Sequence, residues 1–242
     1  MIRRTYDGPL AGPLGDLQRR IVACRKCPRL VDHRERKATT ERRASFRDWD
    51  YWGAAVPSHG DPAARLLLVG LAPASHGANR TGRMFTGDPT ADFLAAALHR
   101  AGFASQPTSM HRDDGLVLHD AFELAVVRCA PPNDRSTPEE QRTCRPYLHQ
   151  ELDLLPNVRA ALAFGRVAFD NFLRAMRERT GERLRYEFAH GARYDLGLGL
   201  PTLFATYHPS PRNTNTGRLT AGQLDSVLAA VNDFLAELPT TR

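Results

Sequence analysis

Arg65-Leu66-Leu67-Leu68-Val69-Gly70 is an unbroken apolar run that stops at a glycine. Strands exposed on one face alternate apolar and polar residues, whereas a strand covered on both faces does not have to. The run therefore predicts a buried strand of a parallel sheet. The next stretch, residues 70–89, is rich in Gly, Pro and Asn and predicts a long loop. A helix is expected after it, capped by Asp88 or Thr90. Phe93, Leu94, Ala97, Leu98 and Ala101 form its apolar stripe, and Gly102 ends it.

The same alternation continues along the chain. Ala121–Val127 predicts a second strand, ending at Arg128-Cys129-Ala130-Pro131-Pro132. Thr137 and Glu140 form a capping box with Pro138 at the first helical position, and that helix should run to about Leu155 and carry Cys144. Residues 158–164 read as a third strand, 166–179 as a helix, 180–199 as a hairpin or loop, 203–207 as a fourth strand and 220–237 as the last helix. Upstream, 14–23 reads as a short helix and 32–62 as an extended, Arg-rich loop. Strands alternating with helices imply a parallel sheet covered on both faces, with its site beyond the carboxyl ends of the strands. Three of the four strand ends carry unusual polar loops, at 70–89, 129–136 and 208–218.

The chain of 242 residues fits one domain: a basic extension over 1–62 and an α/β core over 63–242. No apolar run is long enough to span a membrane, and the N-terminus lacks a signal-peptide core, so a cytoplasmic protein is expected. The net charge of +6 lies entirely in residues 1–52, which hold 13 Lys/Arg against 7 Asp/Glu. Such a basic segment suits phosphate contact or a solvated arm. Cys24 and Cys27 form a C-x2-C pair, and Cys129 and Cys144 come about a hundred residues later. An even set of this kind in a cytosolic chain reads as metal binding, by a 4Fe-4S cluster or by structural Zn; spacing alone does not separate the two.

The loop from Gly70 to Asp88 resembles the first motif of the type b (family 5) uracil-DNA glycosylases. His208-Pro209-Ser210-Pro211-Arg212-Asn213-Thr214-Asn215-Thr216-Gly217-Arg218 is similar to their last motif, and Arg128-Cys129-Ala130-Pro131-Pro132 to their central one. The cysteine layout matches the 4Fe-4S ligand pattern of types a and b, with Cys24, Cys27, Cys129 and Cys144 as ligands of a structural cluster. The resemblance spans residues 24 to about 237. It implies a three-layer α/β/α fold with a central four-stranded parallel sheet and a cluster-bound N-terminal extension. It also implies a monofunctional enzyme that hydrolyses the N-glycosidic bond of uracil in DNA, leaving an abasic site. Other deaminated bases such as hypoxanthine are expected as further substrates, and a monomer associated with the nucleoid is expected.

By that resemblance His208 donates to uracil O2 as the base departs as an anion, and Asp88 activates the water or stabilises the sugar cation. Asp88 competes for a second role, as a helix N-cap. Gly70, Leu71, Ala72, His76 and Phe85 are expected to line the base pocket, with Phe85 stacking on the base. Asn133 or Asp134 should read the base edge. The family pattern has an Asn there, and an ungapped count places Asp134 at that position; a carboxylate only accepts, whereas an amide also donates. Asn79, Arg80, Ser210, Arg212, Asn213, Asn215 and Arg218 are expected on the DNA. No lysine falls in the three loops, which disfavours a Schiff-base lyase. The alternative reading is a non-catalytic nucleic-acid binder stapled by Zn or Fe-S.

Overall fold

The structure, a computed structural model, describes residues 1–238. In chain order the elements are α1 (Gly12–Val22), α2 (Pro28–Thr39), β1 (His59–Gly60), β2 (Leu66–Gly70), α3 (Ala78–Thr81), α4 (Pro89–Arg100), β3 (Ala121–Ala125), α5 (Pro138–Leu154), β4 (Ala160–Phe164), α6 (Arg166–Thr180), β5 (Arg193–Tyr194), β6 (Thr202–Thr206), α7 (Pro211–Thr214) and α8 (Ala221–Glu237). One sheet runs in the order β1-β3-β2-β4-β6-β5. The four inner strands are parallel, as expected. Two-residue strands that the sequence pattern did not reveal pair antiparallel at both edges. Such short pairings blunt the exposed edges of a parallel sheet.

Every residue of the four inner strands is buried. Alternate side chains divide between two cores. Leu67 and Val69 of β2 join a cluster with residues of α1, α5 and α6. Leu66 and Leu68 join another with residues of α4 and α8. The sheet is thus covered on both faces, which is why its strands lack alternation.

Helix ends follow their local chemistry. Asp88 caps α4 through Ala91 N at 3.0 Å. Thr137 and Glu140 complete the capping box of α5, and Thr220 and Gln223 do the same for α8.

The reading of 32–62 as extended loop is wrong at its start. Pro28–Thr39 is the helix α2, with Pro28 in its first turn. Its buried side includes His33 and Arg34 beside Leu30, Val31 and Ala38. A buried arginine breaks the apolar stripe on which periodicity depends. Both terminal nitrogens of Arg34 find remote partners, Cys129 Sγ at 2.8 Å and Cys24 O at 3.0 Å. Residues 51–58 are also buried throughout rather than solvated.

The extension is packed on the core. Gln18 of α1 donates to Glu151 of α5 at 3.2 Å and accepts from Ser58 N at 2.8 Å. Glu151 also pairs with Arg128, whose guanidinium donates in addition to Ser58 Oγ. This pair is fully buried.

Candidate active site

The inner strands end side by side, so Leu71 after β2, Gly165 after β4 and His208 after β6 are brought together. The backbone ties these ends. Val126 N and Val127 N donate to Gly70 O and Leu71 O, and Gly165 N donates to Thr206 O, at 2.8–2.9 Å. A pocket of about 640 Å³ opens here, lined by Leu71, Phe164, Gly165, Tyr207, His208 and the first turn of α6, with Ser210, Arg212, Asn213 and Arg218 on its rim. His208 thus faces a cavity rather than the core. Asn213 fixes its loop, donating from Nδ2 to His208 O at 2.8 Å. Burial pushes the imidazole below the usual histidine value, against the pull of the Asp134 charge. The ring is therefore neutral at physiological pH, with one N–H to donate.

Asp88 does not line that pocket. It lies in a second one of about 560 Å³, with His76, Gly77, Asn133, Asp134 and Pro211. The two cavities meet the chain at adjacent residues, Ser210 and Pro211. Asp88 Oδ1 is the N-cap acceptor, while Oδ2 sits against Gly77, where no Cβ intervenes. Burial holds the carboxyl above its usual range, opposed by the N–H groups of Ala91 and Thr90. His76 accepts from or donates to Tyr51 Oη through Nδ1 at 3.0 Å, and burial keeps it neutral as well. Asn133 and Asp134 are exposed, and both have left-handed backbones with φ of 53° and 55°. Side-chain-to-backbone bonding lets Asn and Asp tolerate that conformation better than other residues. Both residues line the rim of the Asp88 cavity.

Phe85 lines neither pocket. Its ring fills the space beside Gly70, where a Cβ would stand 2.8 Å from Cζ. It meets Phe164 edge-on at 5.2 Å between centroids, and Phe164 does line the His208 pocket. Phe85 has φ of 43°, a conformation unfavourable for an aromatic residue and typical of functional loops. Ala72 is half-buried against the core.

Two residues expected on DNA are instead buried. Asn79 donates to Arg34 O and Ser75 O. Arg80 donates to His76 O at 2.8 Å and to Gly87 O at 2.5 Å, and so braces the loop that holds Asp88. Both side chains are used inside the protein. By contrast Arg212, Asn215 and Arg218 are exposed, and Arg218 stacks over Tyr207 at 4.4 Å.

One wall of the Asp88 pocket was not legible in the sequence. His33 and Lys37 of α2, with Arg43 and Phe46 just beyond it, line the cavity beside Asp88. Their segment read as loop, and nothing local links residue 37 to residue 88. The concentration of charge in residues 1–52 was the available signal.

The four cysteines are free thiols lining one small cavity with Arg128 and Tyr147. Two N–H groups point at sulfur: Arg34 at Cys129, and Arg128 N at Cys144 at 3.3 Å. Donors of this kind suit sulfur that carries negative charge. As free thiols, Cys129 and Cys144 are pushed up by burial to about 11 and about 12. Among the described residues no group of three or more His, Cys, Asp or Glu side chains is arranged to hold a metal ion. Nor is any helix there long and apolar enough to cross a membrane.

A parallel sheet with a neutral histidine at one strand end, a half-buried carboxylate in the loop after another and basic rims defines an α/β protein with a polar binding cleft at its carboxyl edge. Residues 57–235 match the model of the uracil DNA glycosylase superfamily. A type-5 uracil-DNA glycosylase of Mycobacterium tuberculosis is 47% identical over 218 residues, covering 90% of this chain and 80% of the relative. One of Thermus thermophilus is 48% identical over 208 residues, covering 86% and 92%. A type-4 uracil-DNA glycosylase of Thermotoga maritima is 30% identical over 156 residues, covering 64% and 69%. The chain belongs to the uracil-DNA glycosylase superfamily and, within it, to the type-5 family.

Proposed function

We infer that this protein is a DNA-repair hydrolase that removes uracil from DNA, and that His208 is its electrostatic catalyst. The observation that carries this reading is the burial-neutralised imidazole at the end of β6, facing a pocket shaped by three strand ends. When the glycosidic bond breaks, the base keeps the bonding electrons. Negative charge gathers on its carbonyl oxygens and positive charge on the sugar. A neutral imidazole N–H aimed at O2 stabilises the departing anion without having to lose a proton. Asp88, ionised, positions water or offsets the sugar cation. Phe164, which lines the His208 pocket with Phe85 packed edge-on behind it, forms the aromatic floor under the extruded base, and Gly70, Leu71 and Ala72 keep the backbone close to it. Asn133 and Asp134 read the base edge, with an acceptor at 134 favouring bases that present an N–H there, such as hypoxanthine. Ser210, Arg212, Asn213, Asn215 and Arg218 form the loop that meets the DNA strand.

Cys24, Cys27, Cys129 and Cys144 would hold a 4Fe-4S cluster, supported by their shared cavity and by the two N–H donors at sulfur. Bound there, the cluster would fix α2 against β3 and α5, a structural contribution. A cluster-loaded preparation should be brown and contain iron, and a colourless, iron-free one would count against the cluster.

The enzyme would act as a monomer in the cytoplasm, on chromosomal DNA. Incubation with a uracil-containing oligonucleotide followed by alkali tests the activity: strand scission at uracil supports it. Binding without scission would instead indicate a non-catalytic nucleic-acid protein.

A further inference from the structure

Arg80 lies between two aromatic rings. Its guanidinium carbon is 3.8 Å from the centroid of Phe46 and 3.9 Å from that of Trp49. The two rings meet edge-on at 5.9 Å. Through its other contacts Arg80 holds His76 O and Gly87 O, on either side of the loop that ends in Asp88. The segment around residue 46 is therefore latched to the catalytic loop by one buried cation.

The rest of the segment is basic and turned outward. Arg43 and Arg47 are exposed, and neither forms an ion pair among the described residues. Arg43 and Phe46 line the Asp88 pocket together with Lys37 of α2. Arg42 anchors the turn, donating to Ala38 O and Arg47 O. Trp49 is 38% exposed, whereas Trp52 is 5% exposed. Unpaired arginines interleaved with an aromatic ring are the chemistry that tracks a nucleic-acid strand: cations on phosphates, a π-face under a base.

We propose that Arg43, Arg47 and Trp49 form a second DNA-contacting element, which grips the phosphates and stacks on a base flanking the extruded nucleotide, in addition to the 208–218 loop. The proposal rests on the glycosylase function inferred for the His208 site. Because Arg80 joins this element to the Asp88 loop, strand engagement and the placement of Asp88 are mechanically linked.

The test uses the full chain and a duplex carrying an abasic-site analogue. Trp49 and Trp52 are the two tryptophans of the chain, so quenching of the exposed one reports contact directly. Titration should quench the parent and leave the W49F variant nearly silent. R43A/R47A should raise Kd about tenfold or more and reduce the slope of log K against log salt by about 1.8, some 0.9 per lost phosphate contact. A control pair, R174A/R183A, on α6 and just past its end, should leave Kd and slope unchanged. The proposal is overturned if R43A/R47A binds like the parent, if the control pair weakens binding equally, or if DNA leaves the Trp49 emission unaltered. A parent that binds and quenches but never cleaves at uracil would sink the glycosylase reading and leave this contact standing.

Discussion

Gly77 and Asp88 occupy one shared volume: the carboxylate Oδ2 lies where a side chain at 77 would begin, and a Cβ built there would stand 2.9 Å from Asp88 Cγ and overlap Oδ2. The loop between them folds back so that its two ends touch. G77A should therefore push the carboxylate aside. We expect the glycosylase rate to fall at least about tenfold, with a stability loss of about 0.5–2 kcal/mol from the weakened α4 cap. Single-turnover kinetics and thermal unfolding measure the two effects. An unimpaired G77A enzyme would mean the carboxylate position is unimportant.

D88N separates catalysis from capping. Burial raises the Asp88 carboxyl, so the folded state binds its proton more tightly than the unfolded chain. Stability from this group is therefore lost as pH rises through the carboxylate range, and the ionised form is a net cost at neutral pH. Asparagine caps as well as aspartate and removes that cost. D88N should melt at the same temperature or higher at pH 7, while activity drops by about 10²- to 10⁴-fold. Retained activity would leave Asp88 as a cap alone.

His208 is expected to account for two to three decades of rate, about 3–4 kcal/mol, lost in H208N. Its pH behaviour is the sharper check. Because burial lowers its pKa, the neutral donor persists below the usual histidine value, and the acid limb of kcat/KM that it sets lies correspondingly low. The Asp134 charge opposes that lowering. D134N should move this limb to still lower pH and shift preference from hypoxanthine toward uracil. A limb that rises or stays in place, or an unaltered base preference, argues against contact between residue 134 and the pocket.

The buried Arg128–Glu151 pair joins the core to α1 through Gln18 and Ser58. Removing one partner leaves the other charge buried without compensation. E151A should cost about 3–5 kcal/mol. Replacing both residues by apolar side chains of similar volume should cost less than E151A alone. Denaturant unfolding of the single and double variants decides this.

Most of the architecture was legible because it is written in short-range patterns. Leu66–Val69 announces a doubly covered strand by its lack of alternation, and Thr137 with Glu140 announces a helix start through groups three residues apart. His208 was legible too, since a polar loop directly after a strand must lie at the sheet's carboxyl edge. The helix α2 was not, because Arg34 and His33 sit on its buried side and find partners some 95 and 42 residues away. Buried charge looks like solvated charge until those partners are known.

The chain's local chemistry thus determined the strands, the caps and the family motifs, each set by neighbours within a few residues. Only tertiary structure decided that Asp88 and His208 line separate cavities, that Asn79 and Arg80 turn inward, and that α2 walls the Asp88 pocket. Those outcomes depend on which distant groups satisfy a buried cation or fill the space left by a missing side chain. Such complementarity exists only once the elements have packed.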